Sequence, residues 1–184
     1  MTTDSEQIAE VSKLYGANVP FMRPTELAGD YSTTLDAVLH ALEMLKEGRF
    51  DILVLLQPTS PLRTAEDIDG AVETFISSGC RALASVSGVN DSPILMRKIK
   101  DNGEMEKLLP VSSTIRRQDM PKIYRVNGSI YVNIISEITE QTSFNDNPMS
   151  YVMEKSHSVD IDDYSDIALT MYYLQRNTSF FDWL

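Results

Sequence analysis

The 184 residues leave room for one domain with a sizeable core, because 42% of them are hydrophobic. A net charge of −11 and an isoelectric point near 4.5 argue against binding to nucleic acid or to an anionic membrane surface. One cysteine, Cys80, excludes an internal disulfide and fits a reducing compartment such as the cytoplasm, and no apolar run approaches the ~20 residues that span a bilayer.

Helical and strand patterns alternate along the chain. Apolar residues recur with helical spacing over 4–16, 32–48 and 64–78, and again from about 163. Strand patterns cover 51–57, 82–86, 129–135 and 151–161, and the segment 90–122 is polar and irregular. This order predicts an α/β protein with a mostly parallel sheet that is covered by helices on both faces.

Short polar residues predict where three of the helices begin. Asp4 is placed to cap the first helix, and Thr64 forms a capping box with Asp67 at the start of the third. The last helix is predicted to begin near Asp163, with Asp166 as its capping partner.

The most informative segment is 51–63, where a continuous apolar strand stops in a loop with two prolines. Such a strand is typical of a parallel sheet buried on both faces, and ligands of open α/β sheets lie at the carboxyl ends of strands. The polar side chains of the loop are therefore candidate ligand contacts: Gln57, Thr59, Ser60 and Arg63. The alternative is a connecting loop with no ligand.

A second polar cluster occupies residues 116–131, which hold three arginines, two tyrosines and the dipeptide Asn127-Gly128. Arginine suits carboxylates and phosphates, whereas amides and phenols suit sugar hydroxyls. The alternative is a solvated loop with a hairpin turn at Asn127-Gly128, because this dipeptide is common in hairpins.

A third candidate is the carboxylate pair Asp160 and Asp162. If the strand pattern over 151–161 continues to the pair, both side chains point to one face, about 7 Å apart along the strand. Two carboxylates on one face can hold Mg²⁺ against substrate phosphates. The alternative is an acidic helix start, which the helix dipole favours.

Four segments, taken in chain order, resemble those of the CMP-sialic acid synthetases, also called acylneuraminate cytidylyltransferases. The segments are FMRPTELAGD (21–30), QPTSPLR (57–63), RRQDMPKIYRVNGSIY (116–131) and SVDIDD (158–163). The resemblance extends from Thr3 to about Leu174 and implies a Rossmann-like nucleotidyltransferase fold. It also implies a cytoplasmic reaction in which CTP and a nonulosonic acid, a nine-carbon acidic sugar, give a CMP-sugar for cell-surface polysaccharide and pyrophosphate.

The resemblance further implies roles for single residues. Arg23 and Thr34 would contact the cytidine nucleotide. The residues expected at the sugar are Gln57, Arg117, Asn127, Tyr131 and Phe144. Asp160 and Asp162 would be the catalytic carboxylates and the Mg²⁺ ligands.

The same resemblance implies a homodimer. Residues 90–122 would form the dimerisation arm, and Arg117 would reach the sugar of the partner subunit. No membrane and no nucleic acid is expected among the partners.

The family also has a front segment that this sequence lacks. Relatives open with a strand, a glycine- and lysine-rich loop, a helix and a second strand, whereas none of the eight glycines here is adjacent to another. The sequence therefore predicts an N-terminally truncated fold without the loop that cradles the CTP phosphates. Two alternatives stay open: a non-catalytic or dimerising remnant of such an enzyme, and a cytidylyltransferase for 3-deoxy-manno-octulosonate.

Overall fold

The computed structural model describes residues 1–46, 48 and 50–176, with the backbone alone at Arg117. The α-helices of this part are α1 (Glu6–Leu14), α2 (Thr34–Met44), α3 (Ala65–Ser78) and α4 (Tyr164–Arg176). Its strands are β1 (Ile52–Leu56), β2 (Ala82–Gly88), β3 (Arg97–Ile99), β4 (Met105–Lys107), β5 (Tyr124–Ile134) and β6 (Met149–Met153). None of the helices described is long and apolar enough to cross a bilayer.

Four strands form one sheet in the order β1-β5-β2-β6, and β3 pairs with β4 in a separate hairpin. Strand β2 runs parallel to β6 and antiparallel to β5. The α/β class is as predicted, and the antiparallel pair has a simple cause. Gly88 pairs with Tyr124, and the Val89 N–H donates to the Ile123 carbonyl at 3.0 Å. The segment between them therefore leaves β2 and enters β5 at the same end of the sheet, which makes the two strands antiparallel.

The chain divides into two compact units. Unit 1 comprises Met1–Leu53 and Ile134–Ser143, and unit 2 comprises Val54–Asn133 and the chain from Phe144 onward. In unit 2, α3 packs on β2 and β6. The most deeply buried apolar side chains of this unit are Ala71, Leu83, Ala84, Ile130 and Val132. In unit 1, buried Ala37 and Val38 lie on α2.

The predicted helix starts are confirmed at two of three positions. Thr64 and Asp67 form the reciprocal capping box of α3. At α4, the Asp163 carboxylate accepts from the Asp166 N–H at 3.2 Å, and Asp166 accepts from the Asp163 N–H at 3.0 Å.

The prediction for α1 was wrong by one residue. Ser5 is the N-cap, since its hydroxyl accepts from the Ile8 N–H at 3.3 Å. The Asp4 carboxylate instead lies 3.8 Å from a guanidinium nitrogen of Arg23.

The strand predicted over 151–161 is shorter than expected. Strand β6 ends at Met153, and a 3₁₀ turn follows at Lys155–His157. The Glu154 carbonyl closes this turn, because it accepts from the His157 N–H at 3.1 Å and from the Ser158 hydroxyl at 2.6 Å. The chain thereby leaves the sheet before it reaches the two carboxylates.

Candidate active site

Unit 2 contains an open polar pocket of about 440 Å³. Five of the predicted site residues line it: Gln57, Asn127, Tyr131, Asp160 and Asp162. Thr59, Arg125, Asn145 and Asp166 also line the pocket. The end of β1, the middle of β5 and the segment before α4 therefore converge on one site, as ligand sites at strand ends do.

The pocket wall on β5 is a bulge. Ala84 pairs with Tyr131 and Val86 with Val126, so residues 127–130 stand opposite the single residue Ser85. Gly128 has a φ of +73°, which L side chains rarely adopt. The Asn-Gly dipeptide thus makes a bulge inside a strand, and the alternative interpretation as a hairpin turn was wrong.

Gly128 also lets a carboxylate approach the bulge. A Cβ atom built on this glycine would lie 3.4 Å from Asp160 Oδ2. Any larger residue at this position would add backbone strain and crowd the Asp160 side chain.

Asn127 is a buried, fully bonded wall residue that is only 3% exposed. Its Oδ1 accepts from the Ser85 hydroxyl at 2.6 Å and from the Ser129 N–H at 3.2 Å. Its Nδ2 donates to the Ser158 hydroxyl at 2.9 Å and lies 3.4 Å from the Met153 sulfur. These bonds fix the amide in place.

Tyr131 presents a protonated phenol at neutral pH. Burial raises the pKa of Tyr131, and the nearby Asp160 carboxylate raises it further. The hydroxyl donates to Asn145 Oδ1 at 2.6 Å. Phe144 packs on the Tyr131 ring with centroids 5.8 Å apart, so it supports the ring and is not itself among the residues that line the pocket.

The two carboxylates reach the pocket by a different route from the one predicted. Asp160 lies in an irregular segment after the 3₁₀ turn and Asp162 in the bend before α4, so the same-face strand argument was wrong. The Ile161 N–H donates to the Thr59 carbonyl at 2.9 Å, which holds the segment beside the loop after β1. Both aspartates still line the pocket.

Asp160 and Asp166, which both line the pocket, differ in the hydrogen bonds of their carboxylates. Asp160 Oδ1 is buried and has no hydrogen-bond partner among the residues that the structure describes. Asp166 Oδ2, in contrast, accepts from the N–H groups of Asp162 and Asp163. A buried acceptor without a donor is costly, so Asp160 is the carboxylate most in need of a cation or proton.

Arg63 has a structural role that differs from ligand binding. Its Nη1 donates to the Ser129 carbonyl at 2.7 Å, the Ser129 hydroxyl at 3.3 Å and the Gln57 carbonyl at 3.3 Å. Burial lowers the pKa of Arg63, and the Asp67 carboxylate partly offsets this. The guanidinium therefore joins the end of β1 to the bulge of β5.

Arg23, Thr34 and Ser60 are not among the residues that line the pocket. Arg23 and Thr34 belong to unit 1, where the Arg23 N–H donates to the Thr3 carbonyl at 2.8 Å. Ser60 is buried, with 1% of its surface exposed. The side chain of Arg117 lies outside the described part of the chain.

Arg125, which lines the pocket, was predicted only as one of the three arginines of the 116–131 cluster, without a role of its own. The predicted strand began at residue 129, whereas β5 begins at Tyr124, so strand spacing could not place this side chain.

Comparison with known proteins identifies relatives along almost the whole chain, although no protein-family model matches it. The CMP-N,N'-diacetyllegionaminic acid synthase of Legionella pneumophila is 37% identical over 182 residues, which cover 96% of this chain and 78% of that protein. The N-acylneuraminate cytidylyltransferase of Streptococcus agalactiae serotype V is 31% identical over 184 residues, which cover 100% of this chain and 43% of that protein.

A solved structure shares the fold. The structure of CMP:2-keto-3-deoxy-manno-octonic acid synthetase complexed with CTP superimposes with a TM-score of 0.61 at 11% identity, covering 95% of this chain and 80% of that one. The predicted nucleotidyltransferase fold is therefore confirmed. With the four motifs and the Legionella relative in agreement, the chain belongs to the cytidylyltransferase family of the CMP-legionaminic and CMP-sialic acid synthases.

Proposed function

We propose that this chain carries the sugar-binding and metal-binding groups of a cytidylyltransferase that joins CMP from CTP to a nonulosonic acid. The observation that carries the proposal is the convergence of Gln57, Tyr131, Arg125, Asp160 and Asp162 on one pocket. A nonulosonic acid offers hydroxyls and one carboxylate, and this set of amide, phenol, guanidinium and carboxylate groups suits them.

In the proposed reaction, a bond forms between the anomeric oxygen of the sugar and the α-phosphorus of CTP. The bond from the α-phosphorus to the bridging oxygen breaks, and its electron pair leaves with pyrophosphate. The chain contributes mainly by orienting the sugar. Gln57 and the Tyr131 phenol would bind hydroxyls, and the exposed Arg125 would bind the sugar carboxylate.

Asp160 and Asp162 are suited to hold Mg²⁺. Asp160 Oδ1 is a buried carboxylate oxygen with no donor in the described part of the chain, and both side chains offer the hard oxygens that Mg²⁺ prefers. Among the residues described, no group of three or more His, Cys, Asp or Glu could hold a metal. Mg²⁺ is usually held by one or two protein carboxylates plus substrate phosphates, so these two aspartates would suffice. When bound, Mg²⁺ would offset the negative charge of the reacting phosphates.

Pyrophosphate release tests the proposal. The chain, alone and joined to the glycine-rich front segment of a relative, would be given CTP and Mg²⁺ with four separate acceptors: N-acetylneuraminic, legionaminic and pseudaminic acids and 3-deoxy-manno-octulosonate. We expect release from the joined form with a nine-carbon acceptor. Release with the eight-carbon sugar alone would favour the alternative enzyme, and release with none would favour the non-catalytic remnant.

We further propose that the protein is a homodimer held by the arm, residues 90–122. Ile99 and Met105 face each other across the β3–β4 hairpin and are 76% and 73% exposed. Leu95, Met96, Ile115 and Met120 line a second open groove in the same arm. Such clustered apolar exposure is typical of an interaction surface.

Ile99→Asp should weaken dimerisation at least ~10-fold, because an unpaired carboxylate would be buried at the interface. Ile76→Asp is the matched control, since Ile76 is 64% exposed on α3, outside the arm. Analytical sedimentation over a concentration series measures the dimerisation of both variants. Equal dimerisation of the two variants and the parent would show that the arm is not the interface.

We place this activity in the cytoplasm, as a source of activated sugar for cell-surface polysaccharide. The single cysteine, Cys80, fits a reducing compartment. Recovery of the protein in an oxidising compartment on cell fractionation would contradict this placement.

A further inference from the structure

Three buried polar side chains of unit 2 are joined by hydrogen bonds, and one of them, Asn127, lines the pocket. Ser85 on β2 is fully buried, Asn127 on β5 is 3% exposed and Ser158 after β6 is 4% exposed. The Asn127 amide joins the two hydroxyls, with 2.6 Å to Ser85 Oγ and 2.9 Å to Ser158 Oγ. These side-chain hydrogen bonds thus connect three segments that are distant in sequence.

Ser85 holds the bulge of β5 in shape. Its hydroxyl donates to Asn127 Oδ1 and accepts from the Ile130 N–H at 2.8 Å. A bulge interrupts the backbone ladder, so its N–H groups need other acceptors. The Ser85 hydroxyl supplies one of them, which an apolar residue at this position could not do.

Ser158 anchors the other end. Its hydroxyl accepts from the Asn127 amide and donates to the Glu154 carbonyl at 2.6 Å. Three residues later, the Ile161 N–H donates to the Thr59 carbonyl at 2.9 Å. Asp160 lies between these two anchors, so its backbone is fixed on both sides.

The same network sets where the Asp160 carboxylate meets the bulge. Gly128 follows Asn127 directly. A Cβ atom built on Gly128 would lie 3.4 Å from Asp160 Oδ2, so the aspartate faces the bulge at this glycine. The amide that fixes the bulge therefore also fixes the aspartate that faces it. Groups that orient a metal ligand are known to control metal affinity without touching the ion.

We propose that Ser85 and Ser158 are positioning residues that act through the Asn127 amide to hold Asp160 in its metal-binding position. Neither serine is among the residues that line the pocket, and both hydroxyls make the hydrogen bonds described above within the buried network. The inference rests on the proposed function, since it takes Asp160 to be a metal ligand.

Mn²⁺ binding to the purified chain tests the inference, with free Mn²⁺ measured by its EPR signal. The variants are Ser85→Ala and Ser158→Ala, and the control is Ser156→Ala. Ser156 lies two residues before Ser158, but its hydroxyl bonds only to the Glu154 side chain at 3.3 Å in the described structure. We expect each network variant to bind Mn²⁺ at least ~10-fold more weakly than the parent and the control to match the parent.

The urea unfolding midpoint of each variant separates positioning from plain stability. A merely structural role would lower the midpoint and leave Mn²⁺ affinity unchanged, and that result would overturn the inference. If Ser158→Ala does not fold, Ser158→Cys keeps the volume with weaker hydrogen bonds and should show a smaller loss of affinity. Parent chain that binds no Mn²⁺ would overturn the metal assignment itself, and the inference with it.

Discussion

Replacing Asp160 by asparagine should lower turnover at least ~10²-fold, the effect of losing several kcal/mol of transition-state stabilisation. Asp160 lines the pocket, and one of its carboxylate oxygens is buried without a hydrogen-bond partner in residues 1–46, 48 and 50–176 as described. Asparagine keeps the shape of the side chain and removes the charge that would hold Mg²⁺. Asp162→Asn should act in the same direction, because Asp162 lines the same pocket.

Asp163→Asn is the matched control for these variants. The Asp163 carboxylate accepts from the Ser165 N–H at 2.7 Å and so caps α4, and asparagine is a comparable cap. Its turnover should stay near that of the parent. Pyrophosphate release at saturating Mg²⁺, from the chain joined to a relative's front segment, measures all three. Parent-like turnover of Asp160→Asn would show that its carboxylate is not a metal ligand in the reaction.

Arg63→Ala should lower the free energy of unfolding by about 2–4 kcal/mol. The guanidinium makes charge-assisted hydrogen bonds to Gln57 and Ser129, and Ser129 is fully buried. Alanine leaves the Ser129 carbonyl without this donor in a place that water does not reach. The loss should also loosen the loop that carries Gln57, so sugar binding should weaken together with stability.

Arg97→Ala serves as the control for Arg63. Arg97 also donates to two backbone carbonyls, those of Ile94 and Met96 at 2.9 and 2.8 Å, but both belong to its own turn. Its removal should therefore cost less than about 1 kcal/mol. Urea denaturation measures both variants. If both variants lose the same free energy of unfolding, the hydrogen bonds by which Arg63 joins the end of β1 to the bulge of β5 stabilise the fold no more than those of Arg97 within its own turn.

Local patterns were sufficient to predict most elements, because each was decided by residues close in sequence. The apolar run after Asp51 gave β1, and Thr64 with Asp67 gave the start of α3. These signals act over a few residues through side-chain spacing and capping, so no knowledge of the rest of the fold is needed.

The bulge of β5 could not be predicted in this way. Asn127-Gly128 locally favours a hairpin turn, but the partner that stabilises the bulge is Ser85, 42 residues earlier. The choice between turn and bulge is thus made by a tertiary hydrogen bond. A serine in an apolar strand was the one available hint, since a buried hydroxyl requires a partner.

The carboxylate pair shows the opposite case, in which the location was predicted for the wrong reason. The alternation Val159-Asp160-Ile161-Asp162 has the period of a strand. The Ser158 hydroxyl, however, bonds back to the Glu154 carbonyl, and the chain turns out of the sheet. Both aspartates reach the pocket because the Ile161 N–H bonds to Thr59 and α4 begins just beyond them.

A crystal structure of the chain with Mg²⁺ and N-acetylneuraminic or legionaminic acid tests most directly whether this pocket is the sugar site. We predict sugar density between Gln57 and Tyr131, with the sugar carboxylate on Arg125 and the anomeric oxygen toward Asp160 and Asp162. Sugar bound elsewhere on the chain, with this pocket empty at a saturating concentration, would contradict the assignment.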